Sequence, residues 1–168
     1  DGGGLDMAFL GMAECNAKGD VNVSKFKDRI AGCGGFINIT QNTHKVVFCG
    51  TFTAKGLREE IRDGKLVITH EGAVQKFIDK VGQITFSAEY AHKHNQQVMF
   101  ITERCVFVLT DKGLVLTEIA PGVDLQKDIL DQMEFVPHIA ENLKTMDERL
   151  FRDEPMGLAQ DIFEQQAG

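Results

Sequence analysis

The sequence predicts an α/β fold, an open, mixed and largely parallel sheet flanked by helices, with an antiparallel β-rich segment. Three observations carry this. Residues 45–49, Lys-Val-Val-Phe-Cys, form a short apolar run that stops at Gly50, the pattern of a central parallel strand with a functional loop at its carboxyl end. Helical signals interrupt the β-type runs: Ser87 is placed as an N-cap for residues 87–94, and Leu125, Ile129 and Met133 recur at helical spacing behind Asp124. Residues 98–102, 105–109 and 114–119 read as strands, the last two joined through Asp111-Lys112-Gly113.

In chain order, residues 5–15 carry Met7, Phe9, Leu10 and Met12 without polar interruption, as a strand buried on both faces would. Turn formers at 16–20 lead to β character at 21–24, which predicts a hairpin with Asn22 at its end. Gly34 and Gly35 precede residues 36–42, which open a short helix or, by their β-branched content, a strand. In the helical case the free N–H groups favour an anion at the glycine loop. Residues 66–70 and 73–77 are expected to pair across a Glu71-Gly72 turn, and residues 83–86 to form another strand. Pro121-Gly122 ends the β-rich unit. The body of the domain is expected over residues 1–134 and a partly extended arm over 135–168, disordered from about residue 160.

The 168 residues suffice for one domain with a sizeable core. Apolar residues make up 43% and charged residues 26%, which argues against disorder. A net charge of −7 disfavours nucleic acid as a partner, since phosphate binding needs a concentrated positive face. No run reaches the roughly 18 apolar residues of a membrane span. Cys15, Cys33, Cys49 and Cys105 are scattered without a C-x-x-C pair, so they read as buried reduced thiols of a cytoplasmic protein, and no metal is expected. The opening Asp1-Gly2-Gly3-Gly4 shows neither an initiator Met nor a signal peptide, and reads as a chain cut from a longer one.

The residues able to do chemistry gather in the glycine-rich first third. Glycines beside short β runs let a ligand approach the main chain. Asn22 can donate its amide to a carbonyl oxygen or stabilise a turn as an Asx contact. Gly34, Gly35 and Gly56 can offer backbone N–H donors or permit φ > 0 at turns, and spacing alone favours turns. Lys25, Lys27 and Lys55 can meet a phosphate, although exposed lysines usually meet nothing specific. Glu103 reads as a buried, hydrogen-bonded carboxylate whose neighbour Arg104 should point to the opposite face of a strand. His44 and His70 receive no role.

These segments together resemble the family I coenzyme A transferases, and within them the carboxyl-terminal, β-subunit-like half of the bacterial acetate and short-chain acyl type. The resemblance rests on Asp1-Gly-Gly-Gly-Leu-Asp-Met-Ala-Phe-Leu-Gly, Gly19-Asp-Val-Asn-Val-Ser-Lys, Gly32-Cys-Gly-Gly-Phe, Thr53-Ala-Lys-Gly, Ile101-Thr-Glu-Arg-Cys-Val-Phe and Ile119-Ala-Pro-Gly-Val-Asp, in one register from residue 1 to about 157. It implies ping-pong transfer of CoA from an acyl-CoA to a free carboxylate such as acetate, through an acyl-glutamyl anhydride and a glutamyl-CoA thioester. It places Asn22 and Gly56 at the thioester carbonyl, with Gly34, Gly35 and Lys55 on the substrate. Coenzyme A enters as a substrate, no cofactor is implied, and a homo-oligomer, a tetramer, is expected.

One departure matters. The family's nucleophilic glutamate sits in a Glu-x-Gly motif upstream of the Asp-Gly-Gly-Gly stretch, hence before residue 1. Glu71-Gly72 and Glu103 are lookalikes in the wrong context, so the chain alone is expected not to turn over, and it needs the amino-terminal portion of the same protein as partner. Two rival readings remain open: an acyl-CoA hydrolase-like or lyase-associated transferase subunit, and a non-catalytic binding or oligomerisation domain.

Overall fold

The computed structural model describes residues 4–26 and 29–166. Lys27 and residues 1–3 lie outside this set. In chain order the elements are β1 Met7–Gly11, β2 Glu14–Cys15, β3 Val21–Asn22, β4 Lys25–Phe26, β5 Arg29–Ile30, α1 Phe36–Asn42, β6 Lys45–Cys49, β7 Thr53–Ala54, β8 Arg58–Arg62, β9 Lys65–His70, β10 Val74–Gln75, α2 Ala88–Lys93, β11 Gln97–Ile101, β12 Cys105–Thr110, β13 Gly113–Ile119, β14 His138–Thr145 and α3 Leu158–Gln166. Six of the strands form the main sheet in the order β1-β6-β11-β12-β13-β14. β6 is parallel to both neighbours, β11 to β13 run antiparallel, and β14 returns parallel to β13. The expected α/β architecture with a mixed sheet is therefore observed.

β6 is an interior strand, second in this order, and Val46, Val47 and Phe48 are all buried, as its unbroken apolar run requires. Phe48 lies against Phe36, Phe86 and Phe100 with ring centroids 5.8, 5.1 and 5.1 Å away. A second aromatic stack joins Phe52, Phe77 and Phe107 in the same apolar core. Ser87 caps α2 by accepting from the Tyr90 N–H, and Asp124 caps a helical turn at Leu125–Ile129 by accepting from the Lys127 N–H. α1 is helical despite its β-branched residues. The Gln96 side chain donates to the carbonyls of Thr40 and Thr43, both at 2.7 Å, and so satisfies the end of a helix that no glycine terminates.

Five expectations need correction. β1 is an edge strand among the described residues and is not doubly buried: Ala8 is buried on one face, while Met7 and Phe9, alternating onto the other, are 44% and 67% exposed. Residues 65–70 pair back onto β8 across Asp63-Gly64, both at positive φ, and not onto residues 73–77. β10 instead pairs with β7. Residues 83–86 contribute one bridge, Val21 to Phe86, and no strand. Of the four thiols, Cys15 and Cys105 are buried, Cys33 is half-buried and Cys49 is exposed at the end of β6. Beyond residue 134, β14 completes the sheet and residues 158–166 are helical rather than disordered.

Candidate functional site

The carboxyl ends of β1, β6 and β11 lie side by side, the position where open α/β sheets hold ligands. From β6 the chain leaves through Gly50, whose N–H donates to the Ile101 carbonyl at 3.2 Å, into the loop that carries Thr51, Phe52 and β7. Lys76 is buried beside this exit and its Nζ donates to the Thr51 carbonyl at 2.8 Å. A Cβ at position 50 would lie 2.9 Å from that Nζ, so a larger residue there would have to displace the lysine tip. Burial holds the Lys76 ammonium below its usual pKa, with the Glu103 charge opposing the shift.

Arg104 binds the loop from below, and its side chain is fully buried. Its Nε donates to Glu103 Oε1 at 2.6 Å, Nη1 to Glu71 Oε2 at 2.8 Å and Nη2 to Glu71 Oε1 at 3.2 Å. Nη1 also reaches the Asp128 carbonyl at 2.9 Å, and the guanidinium lies 4.9 Å from the Phe52 ring centroid. Both carboxylates pass this grip on to the loop. Glu103 Oε2 accepts from the Phe52 N–H at 2.8 Å, and Glu71 Oε1 accepts from the Thr53 hydroxyl and from the Gly72 N–H. The expectation that Arg104 turns away from Glu103 is therefore corrected: residues 102–104 form a bend between β11 and β12, where strand alternation does not apply.

Burial pushes the Glu71 carboxyl up, but hydrogen bonds from Arg104, Thr53 and Gly72 together leave it below its ordinary 4.5. A carboxylate lowered on folding stabilises the protein above its unfolded pKa, and this contribution is lost as pH falls through the folded value. Denaturant titrations should therefore show wild type more stable than Glu71→Gln above about pH 5, with the gap closing as pH drops below 4.5. A pH-independent gap would contradict the pairing.

The clamped loop runs straight into Lys55 and Gly56, which are exposed and adopt positive φ of 62° and 93°. Among the described residues no acceptor takes up either backbone N–H. Gly56 lines an open recess of about 420 Å³ with Arg58, Thr69 and His70. Gly34, at φ 51°, and Gly35 are exposed immediately before α1.

Asn22 sits apart from that turn in its bonding. It is fully buried; its Nδ2 donates to Glu14 Oε2 at 2.7 Å and to the Lys25 carbonyl at 2.6 Å, and its Oδ1 accepts from the N–H groups of Ser24 and Lys25. This is the turn-stabilising arrangement of the two that its residue type allows. The two regions communicate through residues 75–78: Cys15 bonds to both Lys76 and Ile78 along the backbone, while β10 pairs with β7. Replacing Asn22 with alanine removes the acceptor of the Ser24 and Lys25 N–H groups and the donor to the Lys25 carbonyl, while Glu14 keeps the Gly82 N–H, and is expected to cost about 1–3 kcal/mol, read as a lowered melting temperature. Full stability with lost activity would instead make its amide a substrate contact.

The residues that composition did not reveal are Glu71, Lys76 and Arg104. Glu71 was legible as a turn residue and as a lookalike of the nucleophile motif, and a lysine in a β run carries no mark of burial. Among the described residues no cluster of three or more His, Cys, Asp and Glu side chains is placed to hold a metal, and no helix is long and apolar enough to cross a membrane.

No family model matches the chain. It is 53% identical over 163 residues to the caffeate CoA-transferase of Acetobacterium woodii, covering 94% of this chain and 31% of that protein. It is 55% identical over 156 residues to the acetate CoA-transferase YdiF of Escherichia coli K12, covering 93% of this chain and 29% of that protein. The acyl-CoA transferase YdiF of Escherichia coli O157:H7, solved as the apoenzyme and as a thioester complex with CoA, superimposes with a TM-score of 0.91 at 55% identity, over 93% of this chain and 30% of that one. The glutaconate CoA-transferase of Acidaminococcus fermentans shares the fold at a TM-score of 0.62 and 14% identity, over 95% of this chain and 57% of that one. The chain thus spans about 30% of the length of the curated relatives it matches.

Proposed function

We propose, for a chain that is a homologous segment of coenzyme A transferases, that it supplies part of the active site of an enzyme moving CoA from a short-chain acyl-CoA to a free carboxylate such as acetate. The observation that carries this is the match at 55% identity to an acyl-CoA transferase solved as a thioester with CoA. In the reaction, a glutamate carboxylate outside these residues attacks the thioester carbonyl and expels CoA thiolate, leaving an acyl-glutamyl anhydride. The thiolate attacks the glutamyl carbonyl of the anhydride, releases the acyl group as its carboxylate and forms a glutamyl-CoA thioester. An acceptor carboxylate then reverses the sequence and leaves as the new acyl-CoA.

Each attack on a carbonyl builds an oxyanion that needs donors fixed in advance, and each such donor contributes on the order of 10²–10³ in rate. The unengaged N–H groups of Lys55 and Gly56, on a loop held from beneath, suit that task. Gly34 and Gly35 offer exposed backbone to the substrate, and Lys55, Arg58 and His70 put basic groups around Gly56 for the anionic parts of CoA. Asn22 then serves the site by tying β2 to the turn that leads from β3 into β4.

The test is steady-state kinetics of the whole protein with acetyl-CoA and a series of short carboxylates. Parallel double-reciprocal lines and formation of the acceptor's CoA ester support the reading. Hydrolysis of acetyl-CoA without any acceptor favours a hydrolase, and no CoA chemistry at all favours a binding domain.

A further inference from the structure

We infer that Arg104 is a positioning residue for the thioester carbonyl, acting through Glu71 and Glu103 to fix the Lys55-Gly56 turn. This deepens the preceding reading and rests on it for the identity of the substrate.

The network is directional. Arg104 touches no open surface, and each of its two side-chain partners ends on the loop between β6 and Lys55: Glu103 on the Phe52 N–H, Glu71 on the Thr53 hydroxyl. Packing enforces the same placement. A Cβ on Gly72 would lie 2.5 Å from Thr53 Oγ1, 2.6 Å from the Ala54 carbonyl and 2.9 Å from the Ala54 nitrogen, so the Glu71-Gly72 backbone lies directly against β7. The Ala73 N–H then donates to the Lys55 carbonyl at 3.0 Å, which fixes one side of the peptide that carries the Gly56 N–H. Lys76 holds the start of the loop at Thr51. The loop is thus tied at residues 51, 52, 53 and 55, while Gly56 carries a free donor at its tip.

A guanidinium suits this place because its fork meets two carboxylates and a carbonyl in one plane, which a lysine ammonium cannot do. A displacement of about 1 Å in a donor is enough to cost roughly 100-fold in rate. The arrangement therefore assigns rate, not binding, to Arg104 and Glu71.

Two readouts test this in the whole protein with Glu71→Gln, which keeps the shape and an acceptor oxygen, and with Arg104→Lys. The first is amide hydrogen exchange at Phe52, Gly72 and Ala73, whose N–H groups bond into the network, and it needs no activity: exchange there is expected to quicken at least tenfold in Glu71→Gln while β6 and β12 keep their protection. The second is kinetic, per active site counted as trapped glutamyl-CoA adduct: kcat is expected to fall about 10–100-fold, with KM for acetyl-CoA changed less than about threefold, and more in Arg104→Lys than in Glu71→Gln. Unchanged exchange at Phe52, Gly72 and Ala73 overturns the inference, as does wild-type kcat per titrated site. A wild-type protein that transfers no CoA but shows the exchange effect leaves the positioning intact and removes the assigned substrate.

Discussion

Replacing Arg104 with methionine is expected to lower stability by about 3–5 kcal/mol, the cost of breaking a buried ion pair by removing one partner. The methionine fills the space of the arginine stem but supplies no donor. Glu103 and Glu71 then face each other's charge with side chains only 15% and 28% exposed, and the Asp128 carbonyl loses its contact. Because both carboxylates retain some water, the lower half of the range is expected. Arg104→Lys should recover part of the loss, since one ammonium restores the charge but not the three-way geometry. Calorimetric melting of wild type and the two variants checks this, and equal melting temperatures for all three would show that the guanidinium holds nothing.

Phe48→Ala is expected to cost about 3–5 kcal/mol, and Phe48→Leu no more than about 1.5. Phe48 is fully buried on the interior strand β6 and is the ring on which Phe36 of α1, Phe86 and Phe100 of β11 converge. Truncation removes the transfer free energy of the ring and leaves a cavity whose walls are held by a parallel sheet on one side and a helix on the other. They cannot collapse far into it. The same loss reaches the candidate site, because Phe48 stands two residues before Gly50. Denaturant unfolding of the two variants gives the comparison, and a small loss for Phe48→Ala would mean that the aromatic cluster packs loosely.

How much of this the sequence disclosed follows from where each signal comes from. β6, α2 with its Ser87 cap and the β12–β13 hairpin were legible because burial on both faces, capping and a glycine turn each write a local pattern. The pairing of β8 with β9 was missed because Arg58-Glu59-Glu60-Ile61-Arg62 is charged and exposed throughout, with no apolar alternation to declare a strand. The signal that was there is Asp63-Gly64, a dipeptide suited to two successive positive φ values. β1 misled because an apolar run records what can be buried, and the exposed face of Met7 and Phe9 depends on what lies beside the sheet edge.

The site divides in the same way. The glycine turns at Gly34 and Gly56 were visible as glycines, and the structure adds their positive φ values and exposure. Asn22 was identified by motif, and the geometry engages both its donors within the hairpin. The clamp was out of reach, since Glu71, Arg104 and Thr53 are brought together only by tertiary structure across 51 residues of chain. Glu103 and Arg104 are adjacent in sequence, and the assumption of a strand concealed the contact that a bend makes possible.

The most direct test of the account is covalent trapping in the whole protein: incubation with acetyl-CoA, reduction with borohydride and peptide mapping by mass spectrometry. The account predicts a single glutamate converted to its alcohol, located outside these 168 residues, with Glu71 and Glu103 unmodified. Reduction at Glu71 or Glu103, or no reduced glutamate in a preparation that transfers CoA, would contradict it.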